Sequence, residues 1–330
     1  MFLLSQSAKI REAWQIFKRE CVTLKAENGE IINSFTRLLN YIYKNMAQTI
    51  NQRIDALRAL LKREGIDAFI IPSTDPHLSE YVAPYWKSRE WISGFTGSAG
   101  TVVITTDKAG LWTDSRYFLQ AEQQLEGSGI DLYKEMLPET PSILDFLREN
   151  LTANSVVGID GKVFSTTQAI ALQEDLAKND ITIKSIVDPM NEIWTDRPPM
   201  PEAPAFIHEM KYAGKSCPDK LAAIRQEMKK SEADVLLVSA LDEIAWTLNI
   251  RGNDVHCNPV VVSYLIINEQ ETHFFIQPEK VTEELSAYLE EAGVTIHAYR
   301  DTESFVTRIP DGSIMLDMGK TNYAVYSALP

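Results

Sequence analysis

Residues 54–75, IDALRALLKREGIDAFIIPSTD, contain the pattern that decides the fold of this 330-residue chain. The first half of the segment carries apolar residues at the spacing of one helix face, followed by Gly65, a residue suited to end a helix. Residues 68–72 then form a short continuous apolar run, which is typical of a buried strand. The segment therefore predicts a helix followed by a strand. The helix face consists of Ile54, Leu57, Leu60 and Leu61.

The same unit recurs at residues 221–242, LAAIRQEMKKSEADVLLVSALD. Residue 54 aligns with residue 221, and every later residue keeps that offset of 167 without a gap. Two copies this far apart predict two similar domains, because a solenoid repeats at a shorter period. The identical pairs are Ala56 and Ala223, Arg58 and Arg225, Lys62 and Lys229, Asp67 and Asp234, and Asp75 and Asp242. The apolar pairs include Leu57 with Ile224, Ile70 with Leu237, and Ile71 with Val238.

The segment between the copies, WTDRPPMPEAP at residues 194–204, holds four prolines, which bar helix continuation and mark a domain boundary. We expect a first domain at residues 46–197, a Pro-rich linker at 198–204 and a second domain at 205–330. Residues 1–45 predict a helical extension of one or two amphipathic helices. Met46 is a candidate start, so this extension is either upstream sequence translated in silico or a pair of docking helices.

Both domains are expected to be α/β, with mixed sheets flanked by helices. In the first domain the pattern predicts strands at 68–72, 101–105, 109–112, 155–160 and 181–186, and helices near 116–125, 142–150 and 166–177. In the second domain it predicts strands near 235–239, 260–267, 272–276 and 295–298.

Composition excludes several classes of function. The formal net charge of −14 argues against binding to nucleic acid or to an anionic membrane, since both require clustered Lys and Arg. Three cysteines far apart in sequence fit reduced thiols. The apolar start is too short for a signal peptide, and no apolar run approaches a membrane span. We therefore expect a cytoplasmic protein.

Three stretches invite a functional interpretation that the residues do not support. GFTGSAG, residues 94–100, precedes a strand instead of following one, so its glycines predict tight turns and close backbone approach, not a phosphate loop. His77 and Glu80, spaced for one helix face, are only two ligands, and a hydrogen-bonded histidine is the favoured interpretation. In residues 240–255, Asp242 can cap a helix, while Arg251 and Asp254 predict a structural ion pair.

Arg116, in GLWTDSRYFLQA at residues 110–121, is harder to explain. If Thr113 or Asp114 caps the following helix, Arg116 falls in its first turn, where a cation opposes the helix dipole. Either Asp114 offsets that cost as a local ion pair, or the guanidinium serves another purpose. The residues alone leave both alternatives open.

Several stretches together resemble the amino-terminal portion of three-domain aminopeptidase P, the Xaa-Pro aminopeptidases. They are IIPSTDPHLSEYVAP, ISGFTGSAGTVVIT, LWTDSRYFLQA, IWTDRPP and ALDEIAWTLNIRGNDVHCNPVVVSYLII, in family order and at family-like spacing. The resemblance covers residues 48–330 and implies two creatinase-type amino-terminal domains, which accounts for the duplication. The duplication argues against a prolidase-like or creatinase-like relative, because those usually carry one such domain.

The resemblance also implies an activity. The family releases the amino-terminal residue from peptides with proline at the second position, using two manganese-type ions held by two aspartates, a histidine and two glutamates in a third domain. We expect this chain to lack that domain, to hold no catalytic or metal-binding residue and no cofactor, and to be inactive alone. By resemblance Arg116 contacts bound peptide, and the domains shape the cleft and support a homodimer. The alternative is a stand-alone association module without enzymatic activity.

Overall fold

The computed structural model describes residues 49–330. The predicted helical extension at residues 1–45 lies outside the described residues, as do Met46 and Cys21. All contacts described below lie within Arg53–Pro330, which forms one compact unit.

The first half of this unit is a mixed sheet of six strands flanked by helices. Its strands run in the order β4-β3-β2-β1-β5-β6. The central strand β1 pairs antiparallel with β2 and parallel with β5. The strands are β1 (Ala68–Ile71), β2 (Thr101–Thr105), β3 (Ala109–Thr113), β4 (Asp131–Lys134), β5 (Val156–Ile159) and β6 (Thr182–Ser185). The helices are α1 (Ile50–Glu64), α2 (Ser88–Ser93), α3 (Phe118–Gln124), α4 (Ile143–Asn150), α5 (Thr166–Ala177) and α6 (Met190–Ile193).

The second half contains a five-stranded sheet and a separate two-stranded ribbon. The sheet has the order β12-β11-β10-β8-β13, and the ribbon joins β7 to β9. The strands are β7 (Phe206–Ile207), β8 (Val235–Val238), β9 (Ile250–Arg251), β10 (Ser263–Asn268), β11 (Thr272–Ile276), β12 (Val294–Ala298) and β13 (Ile314–Leu316). The helices are α7 (Met210–Ala213), α8 (Cys217–Lys230), α9 (Leu241–Leu248), α10 (Glu283–Glu291), α11 (Thr302–Val306) and α12 (Tyr323–Ser327).

The two sheets repeat one topology. Strands β4-β3-β2-β1-β5 correspond in order to β12-β11-β10-β8-β13, and each neighbouring pair has the same direction in both sheets. The register also repeats, because Ala68 faces Thr105 in the first sheet and its aligned partner Val235 faces Asn268 in the second. The duplication predicted from the sequence is confirmed at the level of strand pairing.

Arg58 and Arg225, an identical pair of the repeat, make the same contact in the two halves. The Nε of Arg58 donates to the carbonyl oxygen of Thr105, at 2.9 Å, and the Nε of Arg225 donates to that of Asn268, also at 2.9 Å. Each arginine therefore ties its helix to the end of the strand beside the central one.

Asp67 and Asp234 form a second pair with one role. The Oδ2 of Asp67 accepts the backbone N–H of Val156, and that of Asp234 accepts the N–H of Ser313, each at 2.8 Å. Both acceptors lie just before the central strand. The donor Val156 is the first residue of the parallel strand beside it, and the donor Ser313 directly precedes the corresponding strand. These carboxylates hold the start of each parallel strand pair.

Most predicted elements are present, with several differences. Strands β4 and β13 were not predicted, because both are only partly buried and carry no continuous apolar run. Strands β7 and β9 were not predicted either, and each is only two residues long. The predicted strand at 260–267 begins at Ser263, since residues 260–262 are buried but irregular. The predicted helix near 116–125 begins at Phe118.

The predicted ion pair between Arg251 and Asp254 is wrong. Asp254 pairs with Lys280, whose Nζ lies 2.5 Å from Oδ2, and both side chains are almost fully buried. Asp254 Oδ2 also accepts the backbone N–H of Val262 at 2.6 Å. Arg251 instead donates to the carbonyl oxygens of Ala245 and Ile250.

We predict that Lys280→Met destabilises the fold by about 3–5 kcal/mol, because the variant leaves the Asp254 carboxylate buried without its cation. Urea unfolding followed by circular dichroism measures the change. The double variant Asp254→Asn with Lys280→Met is the matched control and should recover most of the loss, since an amide oxygen still accepts from Val262. A single variant within 1 kcal/mol of wild type would contradict the prediction.

Candidate functional site

Arg116 lies in the turn between β3 and α3, not in the first turn of the helix. The helix begins at Phe118 with Tyr117 as its N-cap residue, and no side chain caps it. Thr113, a predicted cap, instead donates its hydroxyl to the carbonyl oxygen of Ala99 at 2.7 Å. The unfavourable interaction predicted between Arg116 and the helix dipole is therefore absent, because the residue lies outside the helix.

The guanidinium of Arg116 is held by Asp114. Its Nε donates to Oδ1 at 2.9 Å and its Nη2 donates to Oδ2 at 2.7 Å, while the backbone N–H of Arg116 also donates to Oδ1 at 3.0 Å. These hydrogen bonds from Arg116 keep the pKa of the Asp114 carboxyl below its usual range. The arginine side chain is still 65% exposed. The ion-pair alternative is present in the structure, and it leaves the guanidinium accessible to a ligand.

A polar path leads from Arg116 to the GFTGSAG loop. The Arg116 guanidinium lies 5.2 Å from the Tyr117 ring centre, and the Tyr117 hydroxyl lies 2.6 Å from Ser98 Oγ. The loop itself is close-packed, since a Cβ on Gly97 would fall 2.2 Å from the Phe95 ring. This close approach confirms the structural interpretation of the glycines.

Arg89, which the sequence analysis did not identify, anchors the GFTGSAG loop. It is 5% exposed. Its Nη1 and Nη2 donate to the carbonyl oxygens of Phe95 and Gly97, and its Nε donates to Ser73 Oγ at 2.8 Å. Nothing in the local pattern distinguishes this arginine from a solvated one, because its acceptors come from two separate segments, at Ser73 and in the GFTGSAG loop.

His77 is a buried structural residue, which confirms the favoured interpretation. It is 1% exposed, and its Nδ1 and Nε2 lie 2.9 Å from the Ser239 carbonyl oxygen and the Tyr299 hydroxyl, respectively. Burial lowers its pKa. Glu80 is exposed and lies outside any helix, so the predicted shared helix face is wrong.

The contacts of His77 belong to a polar seam between the two sheets. The carbonyl oxygen of Pro76 accepts from Asn322 Nδ2 at 2.8 Å and from the Tyr264 hydroxyl at 3.3 Å. The backbone N–H groups of Thr166 and Tyr323 donate across the same seam to Thr321 and Phe164, each at 2.9 Å. Apolar residues from both halves pack beside it, namely Ala83, Trp86, Leu241, Val255, Val260 and Val262.

The part of the chain that the structure describes offers few residues for metal binding or thiol chemistry. Among residues 49–330, no three or more His, Cys, Asp or Glu side chains converge as a metal site would require. Cys217 is buried, which raises the pKa of its thiol to about 11, and Cys257 is exposed. No helix within these residues is long and apolar enough to cross a bilayer.

Comparison with known proteins defines the class of these domains. Residues 53–193 and residues 196–330 each match a family model described as a creatinase/prolidase N-terminal domain. The chain therefore belongs to the creatinase/prolidase N-terminal family, with two such domains in tandem.

The relatives share one stated activity. Aminopeptidase P2 of Arabidopsis thaliana is 39% identical over 84% of this chain, and Xaa-Pro aminopeptidase 1 of Dictyostelium discoideum is 40% identical over 76%. A solved X-prolyl aminopeptidase from Caenorhabditis elegans, described as a cytosolic enzyme with a di-nuclear active site, matches 86% of this chain with a TM-score of 0.81 and 31% identity. The chain spans 40% and 41% of the two curated relatives and 49% of the solved one.

We predict that His77 makes stability depend on pH. Because its folded-state pKa lies below the ordinary value of 6.5, the unfolded chain binds a proton that the folded chain excludes. This contribution is complete above pH 6.5 and is lost below it, by about 1.4 kcal/mol per pH unit.

Urea unfolding of wild type and His77→Gln at pH 7.5, 6.5 and 5.5 checks this dependence. The variant should lose less stability on acidification than wild type does, whatever its stability at pH 7.5. The same substitution at the exposed His256 is the control and should retain the wild-type slope. Parallel curves for wild type and His77→Gln would contradict the prediction.

Proposed function

We propose that this chain is the non-catalytic, peptide-orienting amino-terminal part of an Xaa-Pro aminopeptidase. The observation that carries the proposal is the match to the solved C. elegans enzyme, which covers 86% of this chain at 31% identity. In the intact metalloenzyme, two manganese-type divalent ions would lie outside these two domains. The substrate would be a peptide with proline at its second position.

Arg116 is the residue we assign to peptide contact. Its two hydrogen bonds to Asp114 fix the guanidinium plane, while Nη1 has no hydrogen-bond partner among the described residues. An arginine fixed in this way loses little side-chain entropy when it binds a carbonyl or carboxylate oxygen. The support is therefore a pre-oriented, exposed donor beside a glycine-rich loop.

The remaining parts of the proposal follow the same relatives. We propose domains at residues 46–197 and 205–330 with a linker at 198–204, a cytoplasmic location and a homodimer in which these domains shape the substrate cleft. The description of the C. elegans relative as cytosolic supports the location.

We predict that Arg116→Ala, in a full-length Xaa-Pro aminopeptidase carrying these domains, lowers kcat/KM toward an Arg-Pro-Pro peptide. The expected loss is roughly 10- to 100-fold, which corresponds to removal of one charge-assisted hydrogen bond. Arg116→Lys should recover only part of the loss, because an ammonium group cannot replace a planar fork.

The matched control for Arg116 is Arg63→Ala. Arg63 is also exposed and forms a bidentate ion pair, with both terminal nitrogens 2.7 Å from the Glu192 carboxylate oxygens. Its removal should leave the kinetics unchanged. Equal kinetics for wild type and Arg116→Ala would remove the assigned role.

We predict further that the purified 330-residue chain alone does not release arginine from Arg-Pro-Pro, with or without added Mn²⁺. In the proposed enzyme the metal ligands lie in a third domain, so these two domains alone would not activate a water. Amino-acid analysis of the reaction and metal analysis of the protein check this expectation. Manganese-dependent release by the chain alone would refute it.

A further inference from the structure

A cavity of about 290 Å³ opens at the seam between the two domains, and we call it the seam pocket. Its volume is at the small end of ligand pockets, which span roughly 300–1,000 Å³. Both domains line the pocket. Glu80 and Trp86 belong to the first domain, and Val255 and His256 belong to the second. Its polar lining includes Ser73, Lys87, Arg89 and Ser98.

The buried guanidinium of Arg89 gives the seam pocket an unusual electrostatic character. All three acceptors of Arg89 are neutral, one hydroxyl and two carbonyl oxygens. Among the described residues no carboxylate lies within ion-pair distance of it, although a buried charge is ordinarily paired. Burial lowers its pKa to about 10, so the group remains charged at neutral pH.

Arg89 also keeps unused donors. A guanidinium carries five N–H bonds, and three of them have acceptors in the part of the chain that the structure describes. One N–H on each terminal nitrogen is left over, and a carboxylate is a common acceptor for guanidinium N–H groups.

The other charges of the seam pocket do not cancel this buried cation. Glu90 pairs with Lys87, whose Nζ lies 3.1 Å from its Oε2, and its charge also acts on Arg89 by raising the pKa of that guanidinium. Glu80 and His256 are exposed, so solvent screens them more than it screens Arg89. A ligand anion in the pocket would therefore be attracted mainly by Arg89.

We propose that the seam pocket binds the carboxylate end of a short peptide through Arg89. The assignment of the carboxylate to a peptide rests on the proposed function, in which Arg116 contacts the peptide. Ser98 lines the seam pocket and connects it through Tyr117 to Arg116. A peptide that contacts Arg116 can follow this path and place its terminal carboxylate at Arg89. A free amino acid or another small carboxylic acid offers the same group without the Arg116 contact.

Calorimetric titration of the full 330-residue chain at low ionic strength tests the proposal. The probes are Arg-Pro-Pro with a free carboxylate, the same peptide as its C-terminal amide, and acetate. We expect the acid to bind at least tenfold more tightly than the amide, and acetate to compete only with the acid. Arg89→Gln should bring the acid to the affinity of the amide.

Two further variants test the pocket if Arg89→Gln fails to fold. His256→Glu adds a negative charge at an exposed pocket residue and should weaken the acid about threefold, whereas Glu80→Gln removes one and should tighten it about threefold. Neither should change the amide. Arg116→Ala should weaken acid and amide equally, leaving their ratio intact.

Each contrary result has its own meaning. Equal binding of acid and amide, both weakened by Arg116→Ala, would overturn the seam-pocket proposal and leave the proposed function standing. A preference for the acid that disappears in Arg116→Ala but survives the pocket variants would place the carboxylate at Arg116 and also overturn it. Failure of both peptides to bind would overturn the proposal together with the peptide contact assigned to Arg116.

Discussion

The imidazole of His77 is the contact on which the arrangement of the two domains depends. It comes from the turn after the central strand of the first sheet, yet both of its ring nitrogens are bonded to groups of the second domain. At 1% exposure the ring is almost out of reach of bulk solvent. Loss of either partner would leave a ring nitrogen of His77 buried without a hydrogen bond, which costs roughly 1–3 kcal/mol of folding free energy. This penalty favours one relative position of the two domains. The walls of the seam pocket depend on that position.

The seam also shows how a duplicated unit acquires different uses. Asp75 is fully buried, and its Oδ1 accepts the backbone N–H groups of His77 and Ser79 at 2.9 and 3.0 Å. Its repeat partner Asp242 is exposed in the first turn of α9, where Ala240 is the N-cap residue. The prediction that Asp242 caps this helix is therefore wrong. One copy of the aspartate shapes the turn that carries His77, while the other only lies near a helix dipole.

Much of the fold could be predicted from the sequence, because the repeat carries its own register. Arg58 with Arg225 and Asp67 with Asp234 are identical since each pair fixes the same strand junction in both sheets. Less periodic elements were missed. The edge strand β4 is half-buried and too short to show an alternation, and the partner of Asp254 lies 26 residues away at Lys280, a separation that no local pattern encodes.

The candidate site was less predictable, and its two arginines show why. Arg116 carries a local carboxylate two residues away, so its ion pair could be read from spacing, although its place outside the helix could not. Arg89 has the opposite environment, since it is buried against neutral acceptors from two segments that meet only in the folded chain. Exposure makes the Arg116 pair energetically weak and leaves its donors available. Burial makes the unpaired Arg89 costly, and an entering anion would offset that cost.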